Sequence, residues 1–285
     1  MRTVKQASGP KLQRLIGILK RRQSALLAYS GGVDSSFLLK ALQLSGIRTL
    51  AVTAASEIIP HQEVLSAKKF ARELGIKQKV IPLHVLSEKK FVRNTPDRCF
   101  VCKEMLFQTL SDFAASEGYQ VILDGSTADD AGDYRPGMKA AIRHHVRSPL
   151  TEAEFSKDEI RKYSRQLCLQ TWDKPSSPCL ATRIPYGSII TRKALKRIDK
   201  SEAFIRSLGF REIRVREHDC VARIEAGKSE MDSMVTAANR GIIASALKSF
   251  GYTYVSLDLD GYARGSLNRV LHSNRPLRRW KAPGI

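Results

Sequence analysis

The stretch SALLAYSGGVDSSFLLKALQLSG, residues 24–46, constrains the fold more than any other part of the chain. The short apolar run from Ser24 to Ser30 reads as a buried strand, and it ends in two glycines. The residues that follow, up to Gly46, read as a helix closed by that glycine. A strand handed through a glycine turn directly into a helix begins a parallel α/β unit. Gly31 and Gly32 let the backbone approach a ligand closely. The amides of the loop and of the first helical turn, from Val33 onward, then converge on one spot. The helix dipole adds positive potential there, so the spot suits a phosphate. Ser30, Ser35 and Ser36 add hydroxyl donors. Asp34 would repel bare phosphate, and it fits a nucleotide that arrives with Mg²⁺. The motif is neither the Gly-Lys-Ser/Thr loop of kinase-type nucleotide sites nor G-x-G-x-x-G.

The rest of the chain continues the alternation. Strands are expected at IRTLAVTAA, KQKVIPLHV and YQVILDGSTADD, with helices at HQEVLSAKKFARELGI and KEMLFQTLSDFAASEG between them. Such a pattern implies a parallel sheet covered on both faces, with ligands at the carboxyl ends of its strands. Leu12, Leu15, Ile16 and Leu19 predict a helix before the first strand. Ser156 with Glu159 three residues on reads as a helix start. After Gly187 the pattern changes. A helix carrying Leu195, Ile198, Ile205 and Leu208 is followed by strands EIRVRE and VARIEA, a helical stretch over 230–250 and a strand YTYVSLDL. The expected fold is α/β, in two domains. Residues 1–187 form a parallel-sheet domain, and 188–285 form a smaller α+β domain that completes the substrate site.

Lys and Arg number 48 against 28 Asp and Glu, a formal net charge of +20. That excess points to an anionic partner: nucleotide, phosphate or nucleic acid. No aromatic-rich stripe lies among the basic residues, which argues against nucleic acid. The tail RPLRRWKAPGI is locally basic. No apolar run approaches the ~20 residues of a membrane helix. The N-terminal segment lacks an apolar signal core, so a cytoplasmic protein with no membrane partner is expected. Five cysteines and no visible leader argue against a disulfide framework.

Cys99 and Cys102 form a C-x-x-C pair in PDRCFVCKEMLF, a spacing shared by zinc sites, redox pairs and iron–sulfur clusters. Cys168 and Cys220 are isolated and are expected to be small buried apolar residues. Cys179 stands in KPSSPCLATRIPYG. With Cys99 and Cys102 it would supply three ligands, enough for a [4Fe–4S] cluster with one open iron. Alone, it is a thiol on a stretch stiffened by Pro175 and Pro178. Arg183, four residues on, favours the reactive thiolate.

The loop SGGVDSS resembles the PP-loop of ATP pyrophosphatases, whose domains have the adenine nucleotide alpha hydrolase-like fold. With YRPGMKA, PSSPCLATRIPYG and YVSLDLDGYARGSLN, it resembles the LarE-type, ATP-dependent sacrificial sulfur transferases over about residues 10–272. The resemblance implies that Thr53, Ala54, Asp124, Gly125 and Ser126 line the adenine pocket. It implies synthesis of the nickel-pincer nucleotide cofactor. A carboxylate of a pyridinium dicarboxylate mononucleotide is adenylylated, Cys179 displaces AMP, and Cβ–S cleavage leaves a thiocarboxylate and a dehydroalanine. Arg135, Arg183, Arg214 and Arg216 are candidates for the substrate's phosphate and carboxylates. Glu225 is a candidate metal or base residue. For Arg214 and Arg216 the competing expectation is that alternate strand residues face solvent. A branch of the family with three cysteines implies instead a cluster on Cys99, Cys102 and Cys179 that delivers sulfur without sacrifice. The resemblance also implies a homo-oligomer, with a hexamer as one form it can take. A PP-loop tRNA thiolation enzyme is the alternative reading.

Overall fold

The structure, a computed structural model, describes residues 9–130, 137–263 and 265–269. It divides into two compact units. The first takes the chain up to Val85 and Asp97–Ser177; the second takes Leu86–Pro96 and the chain from Pro178 onward.

In the first unit, strands β1 (Ser24–Ala28), β2 (Arg48–Ala55), β3 (Gln78–Pro82) and β4 (Val121–Leu123) form one sheet in the order β3-β2-β1-β4. All three pairings are parallel. The strand expected over YQVILDGSTADD is paired only over three residues, because beyond Leu123 the chain turns away into the loop at Asp124. Alternate residues of β1 point to opposite faces, as the pleat requires. Ala25, Leu27 and Tyr29 join one core with helices α1 (Pro10–Lys20), α2 (Val33–Ser45) and α3 (His61–Glu73). Leu26 joins the other core, under α4 (Arg98–Ser116) and α5 (Gly137–Arg143). The sheet is therefore covered on both faces, which is why β1 is apolar without alternation.

Local chemistry sets the helix ends. Pro10 opens α1, whose Leu12, Leu15 and Leu19 are buried. Ser156 and Glu159 form a reciprocal capping box at the start of α6 (Lys157–Gln166). Gly46 closes α2 in the left-handed conformation. The core face of α2 is fixed by an aromatic cluster: Phe155 lies edge-on to Phe37 at 5.2 Å and to Tyr163 at 5.5 Å.

The second unit has helix α7 (Arg192–Ser207), strands β5 (Ile213–His218) and β6 (Val221–Ala226), helix α8 (Ala237–Ser249) and strand β7 (Tyr254–Leu257). Its sheet order is β5-β6-β7, with β5–β6 antiparallel and β6–β7 parallel. The helical stretch expected over 230–250 is two pieces. Thr236 caps α8 with its side chain and so separates it from a short turn at Met231–Met234. Among the described residues no helix is long and apolar enough to cross a membrane.

Phe155→Ala should remove the edge-on partner of both Phe37 and Tyr163. The expected loss is about 3–5 kcal/mol of stability in urea unfolding, with no change in fold by circular dichroism.

Candidate functional site

The glycine turn sits at the topological switch point of the first sheet. From β1 the chain moves to β2 on one side, while β4 lies on the other. A crevice opens at such a point at the carboxyl edge of the sheet. Gly31 has φ +74, and a Cβ there would lie 2.8 Å from the Cβ of Ala67 on α3. Only glycine lets the loop seat this closely on α3. Gly32 is the N-cap of α2, and Asp34 lies in its first turn. Ser30 Oγ and Ser35 Oγ are 3.0 Å apart, and Gly32 N–H donates to Ser30 Oγ. Ser36 is turned into the core, 3.2 Å from the Tyr29 hydroxyl. Burial pushes Tyr29 up to about 12 even though Ser36 pulls it down.

The neighbouring strand ends are tied together by polar contacts. Thr53 is buried, donates to the Tyr29 carbonyl at 2.8 Å and accepts from Gln78 Nε2 at 2.7 Å. Ala54 beside it is half-buried. Asp124 accepts from Ser126 Oγ and from Ser148 Oγ, each at 2.7 Å. A Cβ on Gly125 would lie 3.0 Å from Ser35 N, so this glycine lets the end of β4 rest on the first turn of α2. Lys174 completes the loop. Its Nζ donates to the Gly31 carbonyl at 3.0 Å and pairs with Glu63 of α3 at 2.6 Å. With its carbonyl held from behind, the Gly31–Gly32 peptide turns its N–H to the other side, where it meets Ser30 Oγ.

In the second unit Cys179 is half-buried at the head of a short 3₁₀ turn, Leu180–Arg183. Two buried arginines hold this turn. Arg183 is 0% exposed. Its Nε and Nη2 engage Glu202 in a fork at 2.8 and 3.0 Å. Its Nη1 donates to the carbonyls of Pro178 at 2.7 Å and Cys179 at 3.2 Å. Arg216 forks onto Glu225 at 2.9 and 2.7 Å, and its Nη1 donates to the Thr182 carbonyl at 2.7 Å. Glu202 also accepts from Val215 N and from Arg206. Burial alone would raise the Glu202 carboxyl, but Arg183, with Arg206 and Arg214, pulls it down to about 2. Burial pulls on the Arg183 guanidinium, and Glu202 more than offsets it. Arg214 is also buried, donates to the Ile213 carbonyl and lies 4.9 Å over the ring of Tyr262. Arg214 and Arg216 thus do not face solvent.

Against this geometry stand the similarities to known proteins. No family model matches the chain. It is 39% identical over 262 residues to an uncharacterised protein of Synechocystis sp., covering 92% of this chain and 98% of that one. It is 37% identical over 263 residues to the pyridinium-3,5-bisthiocarboxylic acid mononucleotide synthase of Lactiplantibacillus plantarum, covering 92% of this chain and 95% of that one. The chain belongs to the LarE-type sulfur transferases. A tRNA-specific 2-thiouridylase of Syntrophus aciditrophicus is more distant, 28% identical over 67% of this chain and 60% of its own length. It marks the wider PP-loop group of ATP-using enzymes to which the LarE-type proteins belong.

In this LarE-type chain the cysteines divide into three kinds. Cys99 is exposed and Cys102 half-buried, three residues apart near the start of α4. Within either unit, among the described residues, no three His, Cys, Asp or Glu side chains form a metal-holding group. Cys168 and Cys220 are exposed, against the expectation of burial. The reason is backbone geometry. Cys168 follows the end of α6 at φ +54, and Cys220 lies in the two-residue turn between β5 and β6. Arg135 and the basic tail lie outside the described residues.

Sequence reading missed Lys174, Glu63 and Glu202. For Glu202 a signal exists: it lies on the apolar stripe of α7 with Leu195, Ile198 and Ile205, where a carboxylate needs a buried partner. Glu202→Gln should leave Arg183 buried beside an uncharged partner and cost about 3–5 kcal/mol at neutral pH. The wild-type carboxylate contributes fully above its ordinary value of 4.5, and that contribution is lost as pH falls toward about 2. Urea unfolding across that window should therefore show a steeper loss for the wild type than for Glu202→Gln.

Proposed function

We infer that this chain is an AMP-forming, ATP-dependent sulfur transferase. Its acceptor is pyridinium-3,5-dicarboxylate mononucleotide, and the sulfur comes from Cys179. The observation that carries this reading is the turn at Cys179. Two buried ion-paired arginines fix the backbone around a half-exposed thiol, which is the support a positioned nucleophile needs. The similarity to the thiocarboxylate-forming synthase supports the choice of acceptor.

A carboxylate oxygen of the acceptor attacks the α-phosphorus of ATP, and pyrophosphate leaves. The amides at Gly32 and the first turn of α2, with Ser30 and Ser35, hold the pyrophosphate. Thr53, Ala54, Asp124, Gly125 and Ser126 border the adenine. Mg²⁺ bound with the nucleotide offsets the phosphate charge, and Asp34 is the residue to hold it. The Cys179 thiolate then attacks the acyl carbon, and AMP leaves. A general base removes the Cα proton of residue 179, Cβ–S breaks, and sulfur departs as the thiocarboxylate. The resemblance makes Arg214, Arg216 and Arg135 the candidates for the acceptor's anionic groups, with Glu225 paired to Arg216. The ATP supply and the need for a reduced thiol fit the cytoplasm. The resemblance supports a homo-oligomer.

A second reading uses Cys99 and Cys102. On that reading two thiols three residues apart on one helix would be two ligands of a [4Fe–4S] cluster, with Cys179 as the third. The intact mass of anaerobically purified protein, before and after Mg·ATP and acceptor, separates the routes. Loss of the elements of hydrogen sulfide at Cys179 is expected. Unchanged mass in a brown, iron-containing sample that makes thiocarboxylate would establish the cluster route. Unchanged mass with no iron and no product would overturn both and favour RNA as substrate. Cys179→Ala should retain acceptor-dependent pyrophosphate exchange and make no thiocarboxylate.

Lys174→Met should free the Gly31 carbonyl to turn toward the phosphates. ATP affinity by calorimetry should then fall about tenfold, the loss of one charged hydrogen bond, with adenosine affinity unchanged. Lys174→Arg should retain most of the affinity.

A further inference from the structure

Cleavage of the Cβ–S bond faces a separate barrier from the ATP chemistry. The Cα proton of residue 179 is a weak acid. Its removal places negative charge on the adjoining carbonyl oxygen as an enolate, and that oxygen is where stabilisation acts.

The Cys179 carbonyl oxygen accepts three hydrogen bonds. Thr182 N–H donates at 3.0 Å, Thr182 Oγ1–H at 2.8 Å and Arg183 Nη1–H at 3.2 Å. A threonine hydroxyl bonded to the carbonyl three residues back is a common local motif. Here the hydroxyl is itself polarised. Arg183 Nη1 donates to Thr182 Oγ1 at 2.9 Å, so a cation stands behind the hydroxyl that meets the carbonyl. That cation is fully buried, kept charged by Glu202, and held in place by the fork between them. The same turn is fastened from its other end, where Arg216 donates to the Thr182 carbonyl. The donors are therefore preorganised, and they aim at the one backbone oxygen of the sulfur-bearing residue.

We propose that Thr182 and Arg183 form an oxyanion hole for the enolate of residue 179 and thereby catalyse the elimination that releases sulfur. This rests on the reading of Cys179 as the sulfur donor. The step balances as follows. A general base, for which hydroxide suffices, takes the Cα proton. The electron pair is held on the Cys179 carbonyl as the enolate. It then forms the Cα=Cβ bond as Cβ–S breaks, and sulfur leaves with the bonding pair. No oxidant or reductant takes part. Arg183 thus acts on the donor residue, and the acceptor's phosphate falls to the other arginines.

The test uses the full chain with Thr182→Val, which keeps the shape and removes the hydroxyl, and Thr182→Ser, which restores it. Cys179 is first alkylated with a bis-alkylating dihalide to its cyclic sulfonium, and dehydroalanine formation at residue 179 is followed by mass spectrometry. Thr182→Val should eliminate about a hundredfold more slowly than wild type, and Thr182→Ser at close to the wild-type rate. Equal rates in wild type and Thr182→Val would overturn the proposal. With Mg·ATP and the pyridinium dicarboxylate mononucleotide, Thr182→Val should accumulate the thioester at Cys179, while wild type passes on to dehydroalanine. A wild type that forms neither thioester nor dehydroalanine at residue 179 would overturn the donor role of Cys179, and the sulfonium rates would still decide the oxyanion hole. If Thr182→Val lowers the thermal midpoint, the Thr182→Ser rate decides, since a hydroxyl that restores folding without restoring elimination also overturns it.

Discussion

The Arg183–Glu202 pair sits where neither charge reaches water. Either ion alone in that position would carry a large desolvation penalty. Together they are nearly neutral to stability when set against apolar residues of the same volume. What an apolar pair could not do is donate onward. The fork uses one edge of the guanidinium, Nε and Nη2, and leaves the two N–H groups of Nη1 to be shared among the carbonyls of Pro178 and Cys179 and the hydroxyl of Thr182. Arg216 on Glu225 repeats the design from β5 and reaches the Thr182 carbonyl. The turn at Cys179 is short and has no ladder of its own. Its shape is imposed by two ion pairs rooted in α7 and in the β5–β6 hairpin.

The first unit solves its own problem with the sheet. A glycine loop is floppy unless something decides which way each peptide faces. Ala67 limits the approach of Gly31, Gly125 admits the end of β4, and Lys174 holds the Gly31 carbonyl. Glu63 and Ala67 lie one turn apart on α3, so one face of that helix supplies both the seat and the counter-ion. The parallel order β3-β2-β1-β4 then puts the loop at the switch point, without any further device.

Much of this was legible in the sequence, for a physical reason. Apolar periodicity reports which faces are buried, and glycines and caps report where the backbone must turn. The α/β alternation, the loop at Gly31–Gly32, the capping box at Ser156 and the helices and strands of the second unit all carry such signals. Partner identity does not. Lys174 and Glu63 are separated by 111 residues, and Arg183 and Glu202 by 19. Nothing in the spacing of either residue names the other. Arg214 and Arg216 on alternate positions of β5 match a solvated face as well as a buried one. Only the carboxylates beneath them decide it. Cys168 and Cys220 show the converse error. Residue type suggests burial, but a left-handed φ after α6 and a hairpin tip put both thiols on the surface.

Both halves of the proposed reaction then depend on backbone groups aimed by side chains behind them. On the proposed reading, the ATP step needs the loop's N–H and hydroxyl groups turned toward phosphate, and Lys174 favours this by holding the Gly31 carbonyl on the far side. The elimination needs a backbone carbonyl that can take up charge, and Thr182 and Arg183 supply donors to it. In each case the side chain that matters acts through the backbone group it holds. A backbone group has no side-chain entropy to lose and cannot swing away, so once its orientation is set it costs nothing further to use. On the proposed reading, that economy suits a thiol that acts once. A donor consumed in one cycle would have no need of a site that resets, and the contacts around Cys179 would be free to favour the single step that parts it from its sulfur.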